Sequence, residues 1–169
     1  MVGLHPLVAD TPEFAAAIAL YCQIFSNDEA AVHDRFERHT TYPGYRGFLA
    51  VDGGEVIGYV YGYTSTPGQY YHEALRAAMP PSVAETWLSD CFEFVELGVS
   101  RPARRNGIGR LLHDTLLRDL PHKTSVLTTH VGNVAARRMY ENLGWETIHR
   151  PFVIDGGNEM VVMGTRLRG

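Results

Sequence analysis

A turn rich in arginine and glycine has the residue types and the spacing of an anion-binding loop. The turn reads Arg104-Arg105-Asn106-Gly107-Ile108-Gly109. It follows an apolar run at 92–99 that favours a strand, and apolar side chains recur at helical spacing over 108–120. Backbone N–H groups at such a helix start attract anions, and glycines let a ligand approach the backbone closely. The stretch 91–120 therefore predicts a pyrophosphate-binding loop between a strand and a helix.

Two common phosphate-binding loops do not match this turn. A Walker A loop would continue with lysine and then serine or threonine, whereas Arg110 and Leu111 follow Gly109. The dinucleotide fingerprint would need a third glycine at the position of Leu112. The pattern that remains is R-x-x-G-x-G, which begins at Arg104. A glycine-bearing turn that binds no ligand is the other interpretation of the same residues.

Length, composition and charge favour one soluble globular domain. The 169 residues fit a single domain over 1–169, and shares of 45% hydrophobic and 20% charged residues are ordinary for such a domain. The net charge of -4 argues against nucleic-acid binding, and no apolar run approaches the roughly 20 residues of a membrane span. The first residues lack a secretory signal, and Cys22 and Cys91 make no disulfide framework. We therefore expect a cytoplasmic protein without nucleic-acid or membrane partners.

Other catalytic motifs are absent from the sequence. The histidines and cysteines show no His-Glu-x-x-His or Cys-x-x-Cys spacing, so we expect no metal site. The G-x-S-x-G elbow of a serine hydrolase does not occur either.

Hydrophobic periodicity predicts strands and helices of one mixed α/β layer structure. Strand signals lie at 4–8, 48–51, 56–61, 92–99, 125–129, 145–154 and 158–165. Helix signals lie at 12–25, 28–39, 70–79, 82–88, 108–120 and 133–143. Asn27 or Ser26 is the expected cap of the second helix, and hairpin turns are expected at 52–54 and 155–157.

A second motif lies on the helix predicted at 133–143. Asn133, Ala136 and Tyr140 recur at helical spacing and therefore share one face of that helix. With a glycine and an aromatic residue after them, they form the pattern N-x-x-A-x-x-x-Y-x-x-x-G-aromatic. This pattern, one strand after the R-x-x-G-x-G loop, resembles the GNAT (Gcn5-related) N-acetyltransferase family. The resemblance covers residues 46–167.

The resemblance implies a fold, a co-substrate and a reaction. In this family a central mixed sheet, splayed between its fourth and fifth strands and flanked by helices, binds acetyl-CoA. The implied activity is acetyl transfer to the primary amine of a small molecule, by direct attack through a tetrahedral intermediate and without a metal. Transfer to a protein or peptide amine is an alternative, and a non-catalytic acyl-CoA-binding sensor is another.

The resemblance also implies which residues bind acetyl-CoA. Backbone groups of 97–99, where the family has a strand bulge, would pair with the pantetheine arm, and 104–110 would bind the pyrophosphate. The implied residues are Leu97, Gly98, Val99, Arg104, Arg105, Asn106, Gly107, Ile108, Gly109, Arg110, Asn133, Ala136 and Tyr140. Structural roles compete with these: a solvated arginine, close packing at Gly98, and a helix cap at Asn133.

Three residues are candidates for proton transfer. By the resemblance, Tyr140 is the general acid that protonates the leaving thiolate, unless it is only a buried core tyrosine. A base is also needed, because only a free amine attacks a thioester. Glu93 shares an apolar face with Cys91 and Val95, which favours a protonated carboxyl, and it has the offset of the base in histone-acetylating members. Glu96, on the other face and nearer the bulge, and a water chain are the alternatives to Glu93.

The resemblance implies that residues that bind the acceptor lie on the first helices, in the loop between them and near the last hairpin. The candidates are Phe25, His33, Phe36, Tyr42, Tyr45 and Phe152. Residues 70–90 form an insertion of about two short helices where many family members have a brief connection. We expect this insertion to cover the acceptor site or to form a homodimer contact.

Overall fold

The order of elements along the chain is that of a mixed α/β fold. A computed structural model describes residues 1–25, 28–154 and 156–167. The strands are β1 (Val2–Pro6), β2 (Arg46–Asp52), β3 (Glu55–Thr64), β4 (Cys91–Val99), β5 (Thr124–His130), β6 (Glu146–Phe152) and β7 (Met160–Arg166). The helices are α1 (Pro12–Phe25), α2 (Glu29–His39), α3 (Tyr70–Ala78), α4 (Pro81–Leu88), α5 (Ile108–Leu117) and α6 (Val134–Asn142), with a 3-10 turn at Arg101–Ala103.

The seven strands form one sheet in the order β1-β2-β3-β4-β5-β7-β6. The pair of β4 and β5 is parallel, whereas β1 with β2, β2 with β3, β5 with β7 and β6 with β7 are antiparallel. This mixed sheet with flanking helices confirms the predicted fold class. The chain divides into a first unit, residues 1–63 and 95–119, and a second unit, residues 64–94 and 120–169. Strand β4 contributes its first part to the second unit and its last part to the first unit.

The first unit has a core of apolar and aromatic side chains from α1, α2, β2, β3 and the segment after β1. These are Leu7, Phe14, Ala17, Ile18, Leu20, Tyr21, Val32, Phe36, Leu49, Tyr59 and Tyr61. Helix α1 begins as the sequence predicts, because Pro12 occupies its first position and the Thr11 hydroxyl accepts a hydrogen bond from the backbone N–H of Phe14 at 3.1 Å. The apolar stripe of α1 is thereby directed into this core.

A cap and a turn define the ends of two other elements of the first unit. The Asp28 carboxylate caps α2 by accepting a hydrogen bond from the backbone N–H of Ala30 at 3.0 Å. The predicted caps, Ser26 and Asn27, lie outside the described residues. The turn between β2 and β3 contains two glycines at 53–54 with φ of 59° and 82°, as the predicted hairpin requires.

The second unit has its own core, to which the predicted insertion contributes. The core residues are Leu75, Met79, Ala84, Trp87, Leu88, Cys91, Val126, Phe152 and Val162. Since α3, α4 and Met79 between them supply the first five of these, the inner face of the insertion is buried as a structural part of this unit. Its outer face carries Tyr70, whose side chain is 59% exposed.

Trp87 packs α4 against the strands of the second unit. The Thr124 hydroxyl donates a hydrogen bond to the carbonyl oxygen of Trp87 at 2.8 Å. A Cβ on Gly164 would lie 2.7 Å from the indole ring, so the ring packs directly on the backbone of β7. The guanidinium of Arg166 lies 4.8 Å from the ring centroid. The absence of a side chain at Gly164 therefore makes room for the insertion.

The parallel ladder between β4 and β5 is short. It pairs Cys91 with Thr124, Phe92 with Ser125 and Glu93 with Val126. The Ser125 hydroxyl adds a hydrogen bond of 2.6 Å to the carbonyl oxygen of Phe92. The two strands are thus joined at their first residues.

Several elements differ by a few residues from the predicted bounds, and β1 and α5 are two of them. Strand β1 begins at Val2, two residues before the predicted start. Helix α5 ends at Leu117 instead of residue 120, because Arg118 is extended and Asp119 has a φ of 60°. None of the helices in the described ranges is long and apolar enough to cross a membrane.

Candidate active site

The glycine turn leads into α5 with free backbone donors at the helix start. Gly107 precedes the helix with a φ of 77°, a left-handed conformation that favours glycine. The backbone N–H of Leu111 donates to the carbonyl oxygen of Gly107 at 3.0 Å, which is the first helical hydrogen bond. The N–H groups ahead of it belong to Ile108, Gly109 and Arg110. These groups have no acceptor within the helix and lie at the positive end of its dipole, so they suit a phosphate.

Side chains of the loop hold this shape and add positive charge. Arg104 donates from Nε to the carbonyl oxygen of Val99 at 3.0 Å, which ties the loop to the end of β4. Asn106 donates from Nδ2 to the carbonyl oxygen of Ala103 at 3.2 Å. Arg105 and Arg110 are exposed, so their guanidinium groups are accessible to an anionic ligand.

Gly98 is required by packing against β3. A Cβ at this position would lie 2.5 Å from the hydroxyl oxygen of Tyr59 and 2.6 Å from its Cζ. A Cβ on Gly58 would in turn lie 3.2 Å from the carbonyl oxygen of Gly98. Of the two roles that the sequence left open for this glycine, close packing is therefore observed.

Val95 and Glu96 are consecutive residues of β4, yet both side chains point to the side of the sheet that carries α1 and α2. Val95 packs against the core formed with α1 and α2, and the next residue, Glu96, contacts Arg35 of α2. Gly98 faces Tyr59 on the same side. Successive residues of a regular strand point to opposite faces, so this arrangement indicates one extra residue, a β-bulge, at Val95 and Glu96. The bulge begins before the predicted 97–99 segment and turns Glu96 to the side of α2.

Glu96 forms an ion pair within this largely buried setting. Its Oε2 lies 3.2 Å from Nη2 of Arg35, and the carboxylate side chain is 18% exposed. Burial raises the pKa of Glu96 to about 7, and the charge of Arg35 offsets part of this rise. A carboxyl group with such a pKa exchanges protons near neutrality, which suits a general base.

Glu93, the other candidate base, is more deeply buried. It is 4% exposed and belongs to the second unit, where it pairs with Val126 in the β4–β5 ladder. Burial and the charge of Glu93 raise the pKa of the Cys91 thiol. Glu93 and Cys91 are both buried, whereas the side chain of Glu96 is 18% exposed.

The second motif forms α6 and its cap. The side chain of Asn133 accepts a hydrogen bond from the backbone N–H of Ala136 at 3.3 Å, so Asn133 caps the helix. Tyr140 is 7% exposed, and its ring packs edge-on against Phe94 at 5.8 Å and Trp145 at 5.7 Å. The shared helical face thus directs the tyrosine ring into an aromatic cluster.

Three of the candidate acceptor residues are accessible on the first unit. Phe25 is 44% exposed, with its ring 4.7 Å from that of Tyr21. His33 is partly exposed and lies 3.8 Å from Glu37. Tyr42 is partly exposed, with its ring 4.8 Å from that of Tyr63. These side chains are available for contact with a ligand.

The other three acceptor candidates contribute to structure. Phe36 and Phe152 are each 1% exposed and belong to the cores of the first and second units, respectively. Tyr45 donates from its hydroxyl to the carbonyl oxygen of Leu7 at 2.8 Å. Their aromatic side chains are thus used for packing and for joining segments.

Arg35 is a polar residue of this site that the sequence analysis missed. Its position three residues after Val32 and four before His39 places it beside the buried stripe of α2. This helical spacing is the feature of the sequence that could have indicated that Arg35 lies next to the core. Among the described residues no group of three or more histidine, cysteine, aspartate and glutamate side chains could hold a metal ion.

Comparisons with known proteins agree with this geometry. The sequence model of the Acetyltransferase (GNAT) family matches residues 13–145. A GNAT acetyltransferase from Staphylococcus aureus Mu50 is similar in structure, with a TM-score of 0.71, 12% identity, and coverage of 99% of this chain and 100% of that chain. The ribosomal-protein-S18-alanine N-acetyltransferase from Escherichia coli is also similar in structure. Its TM-score is 0.66 at 17% identity, and the match covers 99% of this chain and 94% of that chain.

A third similar structure contains bound acetyl-CoA. It is a GNAT family acetyltransferase from Elizabethkingia anophelis with acetyl-CoA bound, with a TM-score of 0.63, 18% identity, and coverage of 98% of this chain and 97% of that chain. No curated protein sequence matches the chain. The family match over residues 13–145, together with the mixed sheet and the glycine loop at the start of α5, shows that the chain belongs to the GNAT acetyltransferase family.

Proposed function

We propose that the protein is an acetyl-CoA-dependent N-acetyltransferase that acts on the primary amine of a small molecule. Its family supports acetyl transfer, and a structural neighbour binds acetyl-CoA. The observation that carries the proposal is the Glu96 carboxylate, which faces α2 and has a pKa raised by burial to about 7. An amine must lose a proton before it attacks a thioester, and Glu96 is suited to accept that proton near neutral pH.

The first unit supplies the groups that would bind acetyl-CoA. The N–H groups at the start of α5 would donate to the pyrophosphate, with Arg105 and Arg110 adding positive charge. Backbone groups of residues 97–99 would pair with the pantetheine arm. The thioester carbonyl oxygen needs a hydrogen-bond donor, and we assign this contact to the N–H of Leu97 or Val99.

The proton transfers follow from the nature of the two side chains. Glu96 takes a proton from the ammonium group of the acceptor, and the free nitrogen forms a bond with the acetyl carbonyl carbon. The carbon–sulfur bond then breaks, the sulfur takes a proton from the hydroxyl of Tyr140, and the nitrogen gives up its second proton to solvent as the neutral amide forms. Solvent then returns a proton to the Tyr140 phenolate. The ring of Tyr140 packs against those of Phe94 and Trp145, and its phenolic O–H is the group that would donate this proton.

The test is the release of free thiol from acetyl-CoA in the presence of a panel of amines. The panel contains small aliphatic, aromatic and amino-acid amines, together with short peptides with free N-termini or lysines. We expect small amines to stimulate thiol release and Glu96→Gln to lower kcat by about 10²- to 10⁴-fold, the usual contribution of a general base. Glu93→Gln is the matched control on the same strand, and Tyr140→Phe tests the general acid.

The outcomes separate the alternative functions. Stimulation by peptides but not by small amines would replace the small-molecule acceptor with a protein amine. Binding of acetyl-CoA in calorimetry without stimulation by any amine would identify a sensor in place of an enzyme. A large loss in Glu93→Gln with an active Glu96→Gln would move the base to Glu93.

A further inference from the structure

Arg35 is fixed in place by neighbours on three elements of the first unit. Its Nη2 lies 3.2 Å from Oε2 of Glu96 on β4. Its guanidinium carbon lies 5.0 Å from the ring centroid of Tyr21 on α1 and 5.7 Å from that of Phe36 on α2. Aromatic faces attract a guanidinium and restrict its motion, so a long and usually flexible side chain is fixed in one orientation.

The contact with Arg35 uses one of the two carboxylate oxygens of Glu96. Oε2 accepts the hydrogen bond from Nη2 of Arg35 at 3.2 Å. A carboxylate held through one oxygen presents the other in a defined direction. Oε1 of Glu96 is therefore held in one position, on the side away from Arg35, where it can accept a proton.

We propose that Arg35 is a positioning residue for the reaction, which keeps the Glu96 carboxylate ionised and directs Oε1 toward the acceptor amine. The inference rests on the proposed function of Glu96 as the general base. It adds a residue from α2 that touches neither the amine nor acetyl-CoA. Its effect is exerted through Glu96 alone.

Arg35 is the charged neighbour that lowers the pKa of Glu96. The other titratable groups that face the pair are Tyr59 and Tyr61 from β3, Tyr21 and Cys22 from α1, and His39 from α2. Burial is the largest cause that lowers the pKa of His39, to about 4, so this imidazole is neutral at pH 7. Burial raises the pKa of Tyr59, Tyr61 and Cys22, so these groups are neutral at pH 7. Arg35 is thus the cation that opposes the effect of burial on Glu96.

The experiment compares the pH dependence of kcat/KM in the wild type, Arg35→Met and Arg35→Gln. In the wild type the activity should rise with pH through an apparent pKa of about 7. Removal of the positive charge should move this rise upward by about one pH unit or more, which lowers activity at pH 6.5 about tenfold and less at high pH. Arg38→Met, an exposed arginine on the same helix, is the matched control and should leave the profile unchanged.

A second measurement does not depend on activity. Titration of the Glu96 carboxyl by carbon NMR, assigned by the signal missing in Glu96→Gln, should show the same upward shift in both Arg35 variants. If Arg35→Met does not fold, Arg35→Gln, which keeps hydrogen-bond donors, supplies the same comparison. A carboxyl titration and an activity profile that stay in place in the folded variant would overturn the inference.

The two hypotheses fail in different ways. If the rise in activity through pH 7 persists in Glu96→Gln, the proposed base is wrong. If Glu96→Gln abolishes this rise while the Arg35 variants leave its position unchanged, Glu96 remains the base and Arg35 is merely structural.

Discussion

The hydroxyl oxygen of Tyr59 lies 2.5 Å from the position that a Cβ on Gly98 would occupy. The tyrosine is fully buried, and within the described part of the chain its hydroxyl forms no hydrogen bond. Strand β4 is therefore held against β3 by a contact that allows no side chain, and a polar atom is buried at that contact without compensation. Both properties have measurable consequences.

Replacing Tyr59 with phenylalanine should stabilise the protein. The variant removes a buried hydroxyl that lacks a partner, whose desolvation costs about 1–3 kcal/mol. We expect the free energy of unfolding, measured by urea titration, to rise by roughly 1 kcal/mol. Gly98→Ala is the contrasting change and should lower it by about 1–3 kcal/mol, because the methyl group would overlap the phenol ring. A clear loss of stability in Tyr59→Phe would contradict this account.

Replacing Gly107 with alanine should weaken acetyl-CoA binding. A left-handed conformation costs an ordinary residue roughly 1–2 kcal/mol, so the loop would relax away from its φ of 77° and misdirect the helix N–H groups. We expect the Kd for acetyl-CoA in calorimetry to rise about tenfold. Gly53→Ala, at a φ of 59° in the β2–β3 turn, imposes similar strain away from the loop. Equal Kd values for the two variants would exclude a role of the loop in binding.

His39 should make the protein less stable in acid. The Nδ1 atom of His39 lies 2.7 Å from the hydroxyl of Tyr61, and burial, followed by the charges of Arg38 and Arg35, lowers the pKa of His39 to about 4. Between pH 4 and the ordinary value near 6.5 the unfolded chain binds more protons than the folded protein. Stability from this residue is therefore complete above pH 6.5 and is lost as the pH falls toward 4.

The measurement is the free energy of unfolding as a function of pH. We expect the wild type to lose up to roughly 3 kcal/mol through His39 between pH 6.5 and 4. His39→Gln, which does not titrate and keeps a hydrogen-bonding group near Tyr61, should have a shallower slope. His33→Gln, on the same helix but partly exposed, serves as the control. Equal slopes for His39→Gln and the wild type would show that His39 is not the responsible group.

Removing the indole of Trp87 should destabilise the second unit strongly. Trp87 is 5% exposed and packs on the backbone of Gly164, so Trp87→Ala leaves a large cavity. The expected loss in the free energy of unfolding is about 3–5 kcal/mol, visible as a lowered Tm. Tyr70→Ala, in the same insertion but 59% exposed, should change it by no more than about 0.5 kcal/mol. A small effect of Trp87→Ala would mean that α4 is not part of this core.

The features that the sequence predicted correctly depend on neighbouring residues. The start of α1 follows from the hydroxyl of Thr11 and the ring of Pro12, and the end of α6 from Gly144, which has a φ of 98°. The β2–β3 turn follows in the same way from its two glycines. Caps and turns of this kind are decided within a few residues, so local patterns are sufficient to identify them.

The features that the sequence did not predict depend on distant contacts. The partner of Glu96 is Arg35, which is 61 residues away along the chain, so no local pattern joins them. A strand pattern assigns faces by alternation, and one extra residue at Val95 reverses every assignment after it. For this reason the pattern placed Glu96 on the face of Phe92 and Phe94, whereas the structure turns it toward α2.

The contact of Trp87 with Gly164 links the insertion to a second, distant position in the sequence. An acetyltransferase of this fold that lacks α3 and α4 has no indole at this place, and its β7 is free to carry a side chain where this chain has glycine. The two positions should therefore change together among related chains. A tryptophan near the end of the insertion and a glycine in the last strand would then serve as a paired signature for relatives that share this architecture.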